Sequence, residues 1–304
     1  SVMDKKQIPP SGNKHDYVSR GPYWWPNPDT ADGLPYIRKD GLHNPEYYEF
    51  TDRLYMERTT DMVSKLSLAF YLSGEEKYAR QAANLLRVWF VNPETRMNPN
   101  LNYAQQIPGI CDGRGIGIID SRCIAKMLDY VILLQASPCW TEADKTAFAQ
   151  WIDDFTNWLL TSENGKSEAK EHNNHGTWYD FQVTAQALFL DKKNIAKKQI
   201  AESTRSRMDS QLEADGEQPF ELARTRPWNY STFNLLAFVQ QAKMGERVGV
   251  NLWEHVPPKG ATLRKAIEWY FPFLEGEKDF VKEEITGIHE TAPLAKVLMQ
   301  TSRF

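Results

Sequence analysis

The chain has 304 residues, 41% of them hydrophobic, which is enough for one large domain or two ordinary ones with a substantial core. Its net charge of −4 and the lack of a long lysine and arginine stripe exclude a general nucleic-acid-binding protein, because such proteins displace counterions from phosphates. No apolar run reaches the roughly 18 residues of a membrane-spanning helix. The three cysteines lack a C-x-x-C pair, so no thiolate zinc site is expected.

The first 50 residues form an irregular segment rich in Pro, Gly, Asn and Asp, the residues that favour turns. This segment also contains "GPYWWPNP", with Tyr23, Trp24 and Trp25 between prolines. Long loops in compact domains are usually functional or disordered, and the aromatic content favours an ordered segment that lies over the domain. The three rings are candidate stacking walls for sugars, and core packing of the loop is the alternative.

Helical periodicity dominates the rest of the chain. Four antiparallel helix pairs are predicted, and strand-like alternation is almost absent. The first pair carries apolar stripes at Met62, Leu66, Ala69 and Phe70 and at Tyr78, Ala82, Leu85, Leu86 and Trp89. The second carries Ile124, Met127, Leu128, Val131 and Leu134, then Phe148, Trp151, Ile152, Phe155 and Leu159, with a capping box at Thr141 and Asp144. The remaining pairs cover about 177–190 with 193–211, and about 230–245 with 260–274.

No fixed-period repeat is visible, and no interdomain linker interrupts the helical pattern. These features predict a single all-α domain over residues 1–304, an (α/α) toroid or barrel of helix hairpins. Between the first two pairs lies "NPETRMNPNLNYAQQIPGICDGRGIGIID". Its "GRGIG" lacks the phosphate-loop pattern, so it is either a tight connecting loop or part of a cavity rim. On a rim, Gln105, Gln106 and Arg114 would bind a polar ligand.

The stretch "EHNNHGTWYD" has three possible interpretations. His172 and His175 are three residues apart and can share a metal ion on a helix, but no third ligand is evident. Asn173 or Asn174 can instead cap the helix that follows. Alternatively, Asn174 and His175 are donors that hold a carboxylate and ease removal of the proton beside it.

A second stretch, "ELARTRPWNYSTFNL", places Arg224, Arg226 and Tyr230 at the start of a helix. An isolated tyrosine, with a reference pKa of about 10, is a poor base. A guanidinium beside it favours the phenolate and makes proton transfer possible near neutral pH. Each arginine can also form an ordinary ion pair with Glu217 or Glu221, and Tyr230 can be a packing residue.

Together with "RMNPNLNYAQQIPG" and "GRGIGIID", these motifs resemble the alginate lyase superfamily of polysaccharide lyases, with family 38 the best match and family 5 more distant. The similarity runs from about residue 20 to about 275. It implies an (α/α) toroid that cleaves polyuronates by β-elimination. It also implies that Asn174 and His175, Arg224 and Tyr230 are catalytic. Arginine and tyrosine are six positions apart here against seven in family 5, and Arg224 is favoured over Arg226 as the counterpart.

The resemblance and the motifs give further candidate residues that bind substrate: Tyr23, Trp24, Trp25, Tyr103, Gln105, Gln106, Arg114, His172, Trp178 and Arg226. Of these, His172, together with Asn173, is expected mainly to support its neighbours. We expect Asn174, with help from His175 or Arg224, to neutralise the uronate carboxylate, Tyr230 to protonate the leaving oxygen, and either Tyr230 or His175 to be the base. No metal or other cofactor is expected, and the partner is an anionic polysaccharide such as alginate or glucuronan.

Two other classes remain open. A glycoside hydrolase on the same fold would use a pair of carboxyl groups, for which Asp112, Asp120, Glu217 and Glu221 are available. A glycan-binding protein without activity would need only the aromatic residues. No signal sequence is visible, but the resemblance and the polymeric substrate imply an exported bacterial enzyme, and the periplasm is the expected compartment.

Overall fold

The computed structural model describes residues 1–285 and 291–301. About 59% of the chain is helical and about 4% is strand. The chain divides into two compact units. The first unit comprises Ser1–Glu168 with Phe189–Asp191, and the second unit comprises Ala169–Leu188 with Lys192–Phe304. The single-domain interpretation of residues 1–304 stays a prediction.

The first unit begins with an irregular segment and continues with helices. Its short strands are β1 (Val18–Arg20), β2 (Trp24–Trp25), β3 (Ile37–Arg38) and β4 (Tyr103–Gln106). Its helices are α1 (Thr51–Ser73), α2 (Glu76–Leu86), α3 (Arg122–Val131), α4 (Glu142–Thr161) and α5 (Glu163–Ala169). A π-helical turn, Arg87–Val91, extends α2, and 3₁₀ turns cover Val2–Asp4, Pro45–Glu49, Gly115–Ser121 and Ile132–Ala136. Strand β1 runs parallel to β4, and β2 pairs antiparallel with β3.

The regular secondary structure in the described part of the second unit is all helical. Its helices are α6 (Asn174–Phe189), α7 (Lys193–Lys198), α8 (Arg205–Gln211), α9 (Pro219–Leu222), α10 (Pro227–Glu246), α11 (Leu263–Glu268), α12 (Phe271–Leu274) and α13 (Ala292–Thr301). A π-helical segment, Gln199–Thr204, joins α7 to α8. The helix predicted at 260–274 is therefore two short helices, interrupted at Trp269 and Tyr270 ahead of Pro272. Proline lacks the N–H that a continuous helix needs.

The sequence predicted α4 most completely. All five of its predicted apolar residues are buried, and Thr141 and Asp144 form the expected reciprocal capping box. Arg87 clamps Asp144 with two hydrogen bonds of 2.9 and 2.6 Å, which is the main cause that lowers the pKa of Asp144 to about 2. Phe90 packs edge-on against Trp151 with ring centres 4.8 Å apart. The end of α2 is thus fixed to α4 by both charge and aromatic contact.

The buried stripe of α1 differs from the prediction. Met62 was expected in the core, but its side chain is 46% exposed. Phe70 is buried as predicted, but the other buried residues are Asp52, Met56, Thr60, Val63 and Ser67, at spacings of four or three. Thr60 and Ser67 belong to this buried stripe although they are polar. The Thr60 hydroxyl donates to the Met56 carbonyl at 3.0 Å. No helix in the described part of the chain is long and apolar enough to cross a membrane.

Candidate active site

Helix α6 begins inside the "HNNH" stretch. The Asn173 side-chain oxygen accepts a hydrogen bond of 3.0 Å from the His175 N–H, and the Asn173 carbonyl accepts from the Thr177 N–H. This is the arrangement by which a residue before a helix satisfies its first donors. The capping role therefore belongs to Asn173, which leaves Asn174 and His175 on the first turn of the helix.

Asn174 is held by a buried carboxylate, that of Glu221. The backbone N–H of Asn174 donates to Glu221 Oε1 at 2.5 Å and its amide Nδ2 donates to Oε2 at 2.8 Å. Both residues are only 1% exposed. Burial raises the pKa of Glu221 to about 7, against the hydrogen bonds from Asn174 and the positive charges of Arg224 and His175, which favour the anion. These contacts fix the amide and use one of its two Nδ2 hydrogens.

The turn under this pair depends on Gly176. A Cβ atom at this position would collide with the Arg207 guanidinium and the Glu171 carbonyl. The guanidinium donates to the Glu171 carbonyl at 2.6 Å and to the Ala169 carbonyl at 2.7 Å, and it pairs with the fully buried Asp180 at 2.8 Å. Arg207 thus ties the chain before α6 to the helix itself and holds the first turn of α6 in place.

Arg224 and Tyr230 lie together, as their spacing predicted. The guanidinium carbon of Arg224 lies 3.8 Å from the centre of the Tyr230 ring, a close cation–π contact. Arg224 follows α9, and Tyr230 lies on the first turn of α10, which opens with Pro227. Since Arg224 also favours the charged form of Glu221, the second unit brings Asn174, His175, Glu221, Arg224 and Tyr230 into one electrostatic cluster.

The other predicted residues of the second unit have different surroundings. Arg226 is the half-buried residue just before α10, and its carbonyl accepts from the Tyr230 N–H. His172 is exposed and packs edge-on against Phe220 at 4.8 Å. Trp178 was expected to bind substrate, but it is fully buried and its ring stacks on Phe233 at 4.7 Å. Trp178 therefore packs in the core of the second unit, and a role for it in substrate binding stays a prediction.

In the first unit, β4 and the "GRGIG" loop position Arg114. The Arg114 N–H donates to the Ala104 carbonyl, and its Nη2 donates to Gln105 Oε1 at 2.9 Å. Gly113 and Gly117 allow this approach, because a Cβ at either would collide with the backbone of residues 102–104. Gln105 is buried with a left-handed φ of 51°, and its amide nitrogen donates to Asp120 at 3.1 Å. Gln105 thus lies behind Arg114 and orients it.

The aromatic segment is ordered and lies beside Arg114. Trp24 and Trp25 form β2, both half-buried, and the Arg114 guanidinium lies 5.8 Å from the Trp24 ring centre. Trp25 donates its indole N–H to the Leu42 carbonyl at 3.0 Å, and Tyr23 packs edge-on against His43 at 5.3 Å. Tyr103, at the start of β4, is half-buried, and Gln106, at its end, lines a cleft. These side chains remain predictions as contacts for sugar rings.

Among the residues that the structure describes, no three His, Cys, Asp or Glu side chains lie close enough together to hold a metal ion. Two residues important for the arrangement were missed in the sequence. Glu221 was noticed only as an ion-pair partner or a hydrolase carboxyl, and Arg207 was not noticed. A glutamate three positions before Arg224 was the available signal, but nothing in the sequence shows that its carboxylate is buried against Asn174.

Comparison with known proteins places this geometry in a family. The model of the alginate lyase family matches residues 1–280. An alginate lyase structure from Bacteroides ovatus is 37% identical, with a TM-score of 0.94 over 100% of this chain and 81% of that chain. Alginate lyase A1-III from Sphingomonas species A1 is 16% identical, with a TM-score of 0.65 over 100% of this chain and 81% of that chain. The histidine-to-alanine variant of A1-III, complexed with a tetrasaccharide, is 16% identical. It gives a TM-score of 0.64 over 91% of this chain and 69% of that chain. No curated protein matches.

The fold and the family match thus define a polysaccharide lyase. The chain belongs to the alginate lyase family. The predicted enzyme class and the predicted fold class, an all-α (α/α) toroid, are both confirmed.

Proposed function

We propose that this lyase cleaves alginate by β-elimination and leaves a 4,5-unsaturated sugar at the new non-reducing end. The observation that supports this most is the Arg224 guanidinium held 3.8 Å from the Tyr230 ring, in the same cluster as the Asn174–Glu221 pair. The cluster supplies hydrogen-bond donors and positive charge for a carboxylate, together with a phenol and an imidazole for proton transfer. The alginate lyases among its structural relatives support the same substrate.

The chemistry needs a neutraliser, a base and an acid. Asn174, assisted by Arg224 or His175, neutralises the C6 carboxylate, which makes the C5 proton acidic. The base removes that proton, the electron pair forms the C4–C5 double bond, and the C4–O4 bond breaks. Tyr230 then gives a proton to O4.

The identity of the base depends on the sugar. In mannuronate the C5 hydrogen and O4 lie on the same face, so Tyr230 takes the first proton and returns one to O4. In guluronate they lie on opposite faces, so His175 takes the proton and Tyr230 protonates O4. Imidazole is suited to this because one of its ring nitrogens can accept a proton.

The hydrolase interpretation has less support. Of its candidate carboxyl groups, Asp120 is fully buried and accepts hydrogen bonds from Tyr17, Ser19 and Gln105. Glu221 is used by Asn174. One assay separates the reactions: the enzyme is incubated with mannuronate blocks, guluronate blocks and glucuronan, while ultraviolet absorbance and reducing ends are recorded. A lyase raises both signals on at least one polymer, whereas reducing ends without absorbance would identify a hydrolase.

Replacing Tyr230 with Phe removes the hydroxyl but keeps the ring under Arg224. We expect kcat to fall by about 10³-fold or more, because the variant cannot protonate O4, while polymer binding stays within about threefold. Tyr71→Phe is the matched control, because Tyr71 is 66% exposed on α1, and it should leave activity unchanged. Near-normal turnover of Tyr230→Phe would remove Tyr230 from the mechanism.

We also propose that the enzyme acts in the periplasm. The reason is chemical, because a long polyanion does not cross a membrane unaided and must be met outside the cytoplasm. Fractionation of the producing cells tests this, and lyase activity confined to the cytoplasmic fraction would contradict it.

A further inference from the structure

The first unit contains a cleft of about 520 Å³ at the ends of β1 and β4. This volume is within the range of about 300–1,000 Å³ that is usual for small-ligand pockets. The lining is mixed, with polar Arg20, Gln106 and Asp112 and apolar Ile107, Pro108 and Ile110. A site with flat apolar surface and a few polar groups is suited to one sugar ring.

The parallel pairing of β1 and β4 brings the polar side chains of the cleft together. Arg20 and Gln106 are partners in the register, and the Gly21 N–H donates to the Gln106 carbonyl at 3.0 Å. Arg20 and Gln106 therefore reach the cleft side by side, with positions fixed by backbone hydrogen bonds and not by flexible loops.

Arg20 is held by rings and not by an acid. Its guanidinium carbon lies 4.7 Å from the centre of the Phe50 ring and 5.9 Å from that of Tyr36. Its Nε is buried without a hydrogen-bond partner, and no carboxylate of the described residues lies within ion-pair distance of it. Stacking on aromatic faces orients a guanidinium while leaving its N–H groups for a planar anion.

A second guanidinium adds to the positive charge nearby. Arg114 lies close to the backbone of Gly21, next to Arg20, and burial and the like charge of Arg38 lower the pKa of Arg114. Within the described part of the chain, Arg114 has neutral oxygen partners and no carboxylate at ion-pair distance. Asp112 is the one carboxylate among the described residues that line the cleft, against Arg20 in the lining and Arg114 nearby, so positive charge exceeds negative charge here and favours an anionic ligand.

We propose that this cleft, the Arg20 cleft, binds one uronate residue of the polysaccharide, with the sugar carboxylate on Arg20. Gln106 and Asp112 are placed to hydrogen-bond the sugar hydroxyls, and the Ile107, Pro108 and Ile110 side chains cover the apolar face of the ring. That the sugar is part of an alginate chain rests on the proposed function. The carboxylate preference rests only on Arg20 and its surroundings.

The test pairs a change in the protein with a change in the ligand. A uronate trisaccharide and its carboxyl-reduced analogue are titrated calorimetrically into Tyr230→Phe protein with and without Arg20→Met. Methionine keeps an unbranched stem between the two rings but has no donors. We expect Arg20→Met to weaken uronate binding by about tenfold and binding of the reduced analogue by less than about twofold. Arg20→Lys keeps the positive charge but lacks the paired N–H donors of the guanidinium. It should therefore lose only part of the preference for the uronate over the reduced analogue.

Arg80→Met, at an exposed arginine of α2, is the matched control and should change neither affinity. The proposal would be overturned if Arg20→Met or Arg20→Lys weakened the binding of both ligands equally, or weakened the binding of neither. If Arg20→Met selectively weakened uronate binding, but the unaltered protein produced no ultraviolet-absorbing products, the Arg20 cleft would be upheld and the proposed function rejected. Normal lyase activity with no effect at Arg20 would reject the cleft alone.

Discussion

A single carboxylate, that of Glu221, determines how Asn174 faces a ligand. A carboxylate offers only acceptors, so it can receive the Asn174 backbone N–H and amide N–H together, with the amide nitrogen toward it. The neutralising group is thus oriented before substrate binds, which is how fixed dipoles reduce the cost of reorganisation during a reaction.

Glu221→Gln should lower kcat by about 10- to 100-fold and change KM by less than about threefold. Glutamine has one acceptor and one donor group, so it cannot accept both N–H groups of Asn174 and allows the amide to turn over. In the unaltered enzyme, kcat/KM should fall as the pH drops below the Glu221 pKa of about 7, because the neutral acid loses an acceptor. Steady-state kinetics between pH 5 and 9 measure both effects.

Glu217→Gln is the matched control for this change. Glu217 lies four positions earlier, is about a third exposed and is 3.9 Å from Lys282, so its replacement should leave kcat and the pH profile unchanged. A Glu221→Gln enzyme with normal kcat would mean that Asn174 needs no fixed orientation.

At single positions, the sequence predicted pairs that are close along the chain. Arg224 and Tyr230 are six residues apart across a helix start, and the structure brings them into contact. Glu221 and Asn174 are 47 residues apart, and only the fold brings them together. The full burial of Trp178 could not be predicted either, because an aromatic residue next to a polar motif has the same sequence whether its side chain is buried or exposed.

At the scale of elements, a helix was predicted more accurately when its buried face consists mainly of apolar side chains. Helix α4 has a continuous stripe of large side chains and was predicted correctly, cap included. Helix α1 buries Thr60 and Ser67 and exposes Leu54, Met62, Leu68 and Leu72, so the predicted apolar stripe shares only Phe70 with the buried face. The length of the helix could be predicted from the sequence, but the face that it buries could not. Small polar residues can be buried too: the Thr60 hydroxyl donates to the Met56 carbonyl, and the Ser67 hydroxyl is buried without a hydrogen-bond partner among the described residues.

The irregular N-terminal segment is joined to α1 by a fully buried ion pair. Lys5 Nζ contacts Asp52 Oδ2 at 2.6 Å and the Asp16 carbonyl at 2.5 Å, and Asp52 also accepts the Val18 N–H at 3.0 Å. Lys5→Met should destabilise the protein by about 3–5 kcal/mol, because it leaves a buried carboxylate without its cation. Denaturant unfolding at pH 8 measures the loss.

Adding Asp52→Asn to Lys5→Met should restore most of that stability, since asparagine is neutral and still accepts the Val18 N–H. Lys6→Met, at the exposed neighbour, is the control and should have little effect. If the double variant were as unstable as Lys5→Met alone, the loss would come from packing and not from the unpaired charge.

For the whole molecule, the sequence was sufficient for the all-α class, the family and most helix positions. It was not sufficient for the division into two compact units or for the buried charges, because both depend on contacts between residues far apart in the chain. Asp52, Asp180 and Glu221 are buried acids, and burial is the main cause that raises the pKa of each. Their joint effect is a property of the entire fold.

We expect the melting temperature to fall as the pH rises from about 4 to about 7. Burial raises the pKa of Asp52 from 3.8 to about 6 and that of Glu221 from 4.5 to about 7. In this interval the folded protein binds more protons than the unfolded chain, so each pH increment favours unfolding. Asp144 acts in the opposite sense, because its lowered pKa stabilises the fold as the pH rises, but only between about 2 and 4.

Calorimetric scans from pH 4 to 8 measure this slope, and Glu221→Gln separates one of its sources. Glutamine cannot ionise, so the melting temperature of the variant should depend less on pH between about pH 5 and 7. Across that interval, the difference in free energy of unfolding between the variant and the unaltered protein should change by about 3 kcal/mol. Glu217→Gln, at a partly exposed carboxylate, should keep the original slope. A melting temperature that rises with pH through this range would mean that Glu221 and Asp52 are ionised in the folded protein well below neutral pH, and that the fold compensates their burial more fully than the contacts described above.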